Sequence, residues 1–164
     1  HADAFGWALH CCAGDHARAE DVLQNAYLKL AQQRASHDGR SSFKTWWFGV
    51  IRFTAHEEFR RLRYRESLLG KLLLQLTGDA HDPQPSPARK MELDERTAEL
   101  RRCLAQLPAR QAEVLHLVFY QDLTLNEAAE VMRVSIGSVR QHYERGKARL
   151  RTLLQPDHLH ETAV

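Results

Sequence analysis

Residues 77–90 read TGDAHDPQPSPARK, and no other stretch limits the fold so tightly. Pro83, Pro85 and Pro87 lack backbone N–H groups, push each preceding residue out of the helical region, and stand among Gly, Asp and Ser with neither a helical nor a strand period. Neither a helix nor a central strand can run through it. It reads as a flexible, partly extended linker, so the 164 residues are expected to form two small bodies, one on each side.

Both sides carry helical periodicity. On the N-terminal side Val22, Leu23, Ala26, Tyr27 and Leu30 recur at helical spacing and predict an amphipathic helix from about residue 17 to 33. The segment Ser36-His37-Asp38-Gly39-Arg40-Ser41-Ser42 has turn composition and predicts a loop. Phe43, Trp46, Trp47, Val50, Ile51, Ala55 and Phe59 then mark a second long helix, with Ser41 or Ser42 as its cap and an arginine run at its C-terminal end, where cations suit the helix dipole. The following LLGKLLLQL either extends that helix or forms a short one of its own. Beyond the prolines, helical patterns run from Leu93 to Leu107 and again from Pro108 through Val114, Leu115, Val118 and Phe119. The expected fold is all-α: a first helical domain over residues 1–66, the linker over 67–92, a second helical domain over 93–155, and a tail over 156–164.

The second domain ends in TLNEAAEVMRVSIGSVRQHYER. Thr124 and Glu127 stand at capping-box spacing, and Leu125, Ala128, Ala129 and Met132 share one helix face. A short turn at Arg133-Val134-Ser135 leads into a helix with a narrow inward stripe of Ile136, Val139, Tyr143 and Leu150. That stripe leaves Ser138, Arg140, Gln141, His142, Glu144, Arg145, Lys147 and Arg149 outside. Helix, tight turn, helix is the arrangement that places a second helix in the major groove. An outer face of Arg, Gln, His and Ser suits base edges and phosphates, each good bidentate pair being worth about 1–3 kcal/mol of discrimination.

Charge points the same way. The net charge is only +2, yet Arg60, Arg61, Arg63 and Arg65 form one basic run and Arg140, Arg145, Lys147, Arg149 and Arg151 another. Two separated basic patches predict two contacts with a polyanion. Cys11, Cys12 and Cys103 are an odd number that argues against a disulfide framework. His10, Cys11, Cys12 and His16 lie close enough in sequence to pose a metal-enzyme alternative, but Phe5, Trp7, Ala8 and Leu9 before them favour cysteines buried as small apolar groups. No hydrolytic carboxylate pair, phosphate loop or nucleophile motif accompanies them, so neither a metal, a cofactor nor an enzyme activity is expected. Without an apolar run of about 18 residues or a signal-like start, the chain is expected to be a cytoplasmic protein and not itself a membrane protein.

LPARQAEVLHLVFYQDLTLNEAAEVMRVSIGSVRQHYERGKARLR resembles the promoter-recognising C-terminal domain of bacterial extracytoplasmic-function sigma factors. AEDVLQNAYLKL followed by FKTWWFGVIRFTAHEEFRR resembles the N-terminal domain of the same family. The resemblance implies a specificity subunit that binds core RNA polymerase, directs transcription from chosen promoters, and is held inactive by a membrane-anchored anti-sigma factor covering apolar surface on its domains. It places Arg140, Gln141, Glu144 and Arg145 at base-reading positions of the upstream promoter DNA, with Thr124, Ser135, Ser138, Lys147 and Arg149 near phosphates. The polymerase-docking Asp-x-x-Gln of the family corresponds to Asp21 and Gln24, flanked by Asn25 and Tyr27.

The loop at 36–42 and the helix after it match where such factors melt the downstream element and capture an unstacked base. Opening a duplex costs on the order of 1.4 kcal/mol of stacking per step, and an aromatic platform returns about 1–3 kcal/mol per base. Adjacent Trp46 and Trp47 cannot share one helix face: Trp46 is expected mainly in the core, and Trp47 is open between core and DNA. With His37, Phe53, Arg52, Arg60 and Arg61, Trp47 completes the implied downstream-element set. The chain departs from the family at Phe53, where Asn is usual, at Glu57, where Asp is usual, and at His37, where an aromatic is common. Arg133 replaces a frequent turn glycine and His142 a usual arginine. The rival reading is a dimeric helix-turn-helix regulator that never binds polymerase, for which the docking segment and the Trp46-Trp47 pair would serve no purpose.

Overall fold

The computed structural model describes residues 2–77, 100 and 102–154, with side chains to residue 67 in the first of these stretches. Every regular element among the described residues is helical. The chain divides into two units, residues 1–89 and 90–164. The proline segment, the expected helical residues 93–99 and the tail beyond 154 lie outside the described residues.

Unit 1 contains α1 (Ala2–Cys11), α2 (His16–Ala31) and α3 (Phe43–Thr77), each packed on the other two. Asp15 starts α2: its backbone is extended and its carboxylate accepts the Arg18 N–H at 3.1 Å, satisfying one orphan donor of the first turn. Ser42 does the same for α3 by accepting the Thr45 N–H at 3.1 Å, which settles which serine is the cap. Helix α3 runs on through the LLGKLLLQL stretch to Thr77, as Leu, Lys and Gln favour, so the first eleven residues assigned to the linker are helical. The centre of the unit is Trp7, fully buried, stacked on Phe48 and donating its indole N–H to the Phe48 carbonyl at 3.0 Å across 41 positions of sequence. Ala19, Val22, Leu23 and Ala26 from α2 and Ile51 and Ala55 from α3 close around it.

Among the described residues of unit 2, residues 100 and 102–105 are helical and are followed by α4 (Ala109–Phe119), α5 (Leu125–Met132) and α6 (Ile136–Leu154). Pro108 sits at the N-cap of α4, one position earlier than its expected first-turn place, and its carbonyl accepts the Gln111 N–H at 2.8 Å. Val114, Leu115, Leu117, Ala128, Val131, Met132 and Val139 form the core. Gly146 lets α6 cross α4 at close range: a Cβ there would lie 3.2 Å from Leu115 Cδ1 and 3.3 Å from Gln111 Cβ.

Candidate nucleic-acid interface

In unit 2 the helix-turn-helix is fastened at each of its corners. The Thr124 hydroxyl accepts the Glu127 N–H at 3.2 Å while the Glu127 carboxylate accepts the Thr124 N–H at 2.9 Å, a complete capping box worth about 1 kcal/mol. Arg133 then takes a left-handed conformation, φ +52°, and donates its N–H back to the Ala129 and Glu130 carbonyls to end α5. Ser135 caps α6, its hydroxyl accepting the Ser138 N–H at 3.1 Å and lying 2.9 Å from the Ser138 hydroxyl. With its start fixed, α6 turns Val139 and Gly146 inward, half-buries Ile136, Tyr143 and Leu150, and exposes Arg140, Gln141, Glu144, Arg145 and Arg149. Glu144 pairs with Lys147 at 3.1 Å, and the same ammonium sits 4.5 Å over the Tyr143 ring. So exposed a pair contributes at most about 1 kcal/mol and yields readily to a competing base or phosphate.

In unit 1 the helix register sorts the tryptophans the other way from the expectation. Trp47 lies four residues before Ile51 and eight before Ala55, on the inward stripe, and is 6% exposed, with its ring 5.0 Å from Tyr27 and 6.1 Å from Trp46. Trp46 falls on the next face and is half-exposed, 5.3 Å from the His37 ring and 5.4 Å from Phe43. The open tryptophan is therefore Trp46, and Trp47 is a core residue. Arg52 is corrected on the same ground: four residues after Phe48 it points inward, is 8% exposed, and is not available to a phosphate. Arg60 and Arg61 are exposed near the helix middle, Arg61 within 3.4 Å of Glu58.

The loop before α3 is tied to itself. Gly39 takes φ +76°, the Asp38 carboxylate accepts the Arg40 N–H at 3.1 Å, and His37 Nε2 lies 2.8 Å from the Ser41 carbonyl oxygen. Phe43 stands 56% exposed at the start of the helix. Along α2, Asp21, Gln24 and Tyr27 are exposed, and Asn25 is half-buried with its amide donating to Glu58 at 3.4 Å. Behind them Lys29 bonds the Glu57 carboxylate, donates to the Thr54 hydroxyl at 2.9 Å and lies 5.1 Å over the ring of Phe53, which is itself half open to solvent. The Lys29 hydrogen bond holds the Glu57 carboxyl below its usual value. Two departures from the family pattern, Phe53 and Glu57, thus share one lysine that braces α2 against α3.

The cysteines build no centre. Burial pushes the Cys12 thiol up to about 11, His10 stacks on Trp7, and His16 tilts against Phe5. Among the described residues no three His, Cys, Asp or Glu side chains converge as a metal site would need, and no helix is long and apolar enough to cross a membrane.

The family models for Sigma-70 region 2 and Sigma-70 region 4 match residues 1–65 and 103–152. The ECF RNA polymerase sigma factor SigX of Bacillus subtilis is 31% identical over 152 residues, covering 92% of this chain and 77% of its own length. The chain belongs to the extracytoplasmic-function family of RNA polymerase sigma factors. The RNA polymerase sigma-H factor of Pseudomonas aeruginosa is similarly related, at 30% identity over 87% of this chain and 76% of that one. In fold this sigma factor is similar to RpoE of Bartonella quintana, solved in complex with the anti-sigma factor NepR, with a TM-score of 0.62 and 24% identity over 94% of this chain and 91% of that one. A sigma factor is an initiation factor and not an enzyme: it joins core RNA polymerase and directs it to promoter DNA. The sigma factor's membership sets the independent dimeric regulator aside.

Sequence reasoning missed Trp46, Phe43 and Arg40 at the loop and Gly146 at the α4–α6 crossing. The first was accessible from register, since Trp47 and not Trp46 shares the helix face of Ile51 and Ala55. Gly146 carried no local signal, because the need for it arises from Leu115 and Gln111 some thirty residues away.

Proposed function

We propose that the two units divide promoter recognition between a duplex-reading helix and a strand-capturing loop. Arg140, Gln141, Glu144 and Arg145 read base edges of the upstream element, while Thr124, Ser135, Ser138, Lys147 and Arg149 approach the flanking phosphates. His37, Phe43 and Trp46 receive an unstacked base of the downstream element, with Arg40, Arg60 and Arg61 on its backbone and Phe53 at the margin. Asp21, Gln24, Asn25 and Tyr27 dock on polymerase. The observation that carries the reading is the outer face of α6, where arginine and glutamine heads stand exposed on a helix whose inner face is fixed by Val139 and Gly146.

The protein works in the cytoplasm, and a membrane-anchored anti-sigma factor holds it inactive. Phe119, Tyr120 and Leu154 on unit 2, and Tyr27, Leu28 and Leu30 on unit 1, are exposed apolar surface that such a partner would cover. The solved complex of a sigma factor of similar fold with the anti-sigma factor NepR supports an anti-sigma partner.

The test is competition for core polymerase followed by run-off transcription from a promoter library. Arg140→Ala and Arg145→Ala each lose about 1–3 kcal/mol of upstream-element discrimination and keep full polymerase affinity. Asp21→Ala with Gln24→Ala does the reverse. Loss of polymerase binding in the arginine variants, or normal competition by the double variant, contradicts the division of labour.

A further inference from the structure

We propose that His142 is a proton-dependent contact to the DNA backbone: its imidazolium, and not its neutral imidazole, holds a phosphate beside the upstream element, so that promoter binding takes up a proton. The inference deepens the reading of α6 as the duplex-reading helix and rests on it. The register of that helix comes first. At about 100° per residue, Ser138, His142 and Arg149 fall within roughly 40° of one another along one flank of α6. Arg140 and Lys147 stand on the opposite flank, Gln141 and Arg145 lie on the outer face between the two, and Val139 and Gly146 face the core. A helix laid in the major groove turns its outer face to the base edges and its flanks to the phosphate backbones. His142 therefore belongs with the residues that meet phosphates and not with the base readers.

The protein itself leaves this ring unengaged. His142 is half-buried and makes no hydrogen bond, ion pair or ring contact among the described residues. Helices α4 and α5, which pack on α6, carry Arg110, Glu113, His116, Glu127 and Glu130. Glu113 pairs with Arg110 at 3.2 Å, Thr124 engages the Glu127 carboxylate, His116 Nε2 lies 3.3 Å from the Gln121 amide, and Glu130 is exposed. None of the five interacts with the His142 ring. On α6 itself Glu144 pairs with Lys147, which leaves Arg145 and Arg149, three and seven residues on, as the charged neighbours of His142. No carboxylate on this flank meets an imidazolium, and a DNA phosphate supplies the anion. A neutral imidazole offers that phosphate one N–H, whereas the imidazolium offers two donors and a charge. Imidazole is the side chain that changes charge between pH 5 and 8, and a nearby anion favours the charged form, so the complex holds the proton more firmly than the free protein. Affinity therefore rises as pH falls through that interval and levels off once the ring is charged in both states.

The experiment is equilibrium binding of core polymerase carrying the full chain to several promoters, from about pH 8 to about pH 6 and over a range of salt, with wild type, His142→Gln and His142→Arg. On acidification the wild type gains about fivefold in affinity relative to His142→Gln, whose amide is polar but takes no charge, and gains it on every promoter alike. Its salt dependence steepens by about one ion over the same interval. His142→Arg keeps the tighter binding throughout and loses the dependence on pH relative to His142→Gln. Parallel pH profiles for the wild type and His142→Gln overturn the proton uptake, as does a wild-type profile that persists in His142→Arg. A pH effect confined to promoters with one base at one position makes His142 a base reader and overturns the phosphate contact. These outcomes strike the inference alone when Arg140→Ala and Arg145→Ala lose upstream-element discrimination. If those two variants discriminate as the wild type does, α6 is not the duplex-reading helix and the inference falls with that reading.

Discussion

On the proposed reading, unit 2 offers DNA guanidinium, amide and hydroxyl groups on the outside of a helix capped at its start by Ser135, whereas unit 1 offers aromatic rings around a short loop and keeps one of its arginines, Arg52, inside. The contrast follows from what each half of a promoter presents. A closed duplex shows hydrogen-bonding edges and phosphates, which polar heads on a rigid rod can match. An opened strand shows flat π-faces, on which aromatic rings can stack. On the proposed reading Trp46 stacks on that strand, while Trp47, at the next position, is buried in the core.

Exchanging the roles of those two residues is the most severe test of the contrast. Trp47→Ala removes a buried ring and costs about 3–5 kcal/mol. Trp7, Trp46 and Trp47 all lie in unit 1, so fluorescence in a urea titration follows that unit alone. Trp46→Ala shifts the same titration by less than about 1 kcal/mol and impairs melting instead. Equal losses of stability from the two variants would erase the distinction between platform and core.

The next largest effect belongs to unit 2. Gly146→Ala places a methyl 3.2 Å from Leu115 Cδ1; overpacking of this kind costs about 1–3 kcal/mol, offset in part by the roughly 0.5–1 kcal/mol that alanine gains over glycine within a helix, so a net loss requires that Leu115 keep its place. Hydrogen exchange along α4 and α6 quickens while the tryptophan signal of unit 1 stays where it was. Faster exchange in both units would mean that their stabilities are coupled.

The brace between α2 and α3 gives a smaller effect with a definite sign. The Lys29 hydrogen bond lowers the Glu57 carboxyl from its ordinary 4.5, so the folded form binds the proton less well than the unfolded chain. The contribution is therefore fully present above about pH 4.5 and fades as pH falls through the depressed folded value. Lys29 and Glu57 are 21% and 28% exposed, which places the pair near the upper end of the roughly 0.2–1 kcal/mol typical of surface bridges. Glu57→Gln flattens the acid limb of the unit 1 stability curve and leaves hydrogen exchange in α6 unchanged.

What the sequence disclosed follows the range of the forces concerned. The caps at Thr124 and Ser42, the loop at 36–42 and the outer face of α6 depend on residues within a turn or two, and periodicity and turn chemistry suffice to find them. Which of two adjacent tryptophans is buried depends on the phase of a helix against its neighbours. The phase was present in Phe48, Ile51 and Ala55, but an arginine at 52 masked it, because charge alone marks Arg52 for the outside. The Lys29–Glu57 brace joins residues 28 apart and the Gly146 contact residues about 30 apart, and no local pattern announces either.

Arg133 gives the smallest effect and separates stability from contact with DNA. A non-glycine residue at φ +52° pays on the order of 1 kcal/mol for the left-handed conformation, which Arg133→Gly removes. Glycine also loosens the unfolded chain by about 0.4–1 kcal/mol, so most of the gain is offset and unit 2 is stabilised by only a few tenths of a kcal/mol. Promoter binding then tells the rest, because Arg133 is an exposed cation in the turn leading into α6. A phosphate contact there makes the glycine variant slightly more stable yet weaker on every promoter alike, with the salt dependence of binding reduced by about one ion. A purely conformational role leaves affinity and salt dependence unchanged. Either result assigns the arginine, since a turn that needed only a left-handed residue would be served as well by glycine.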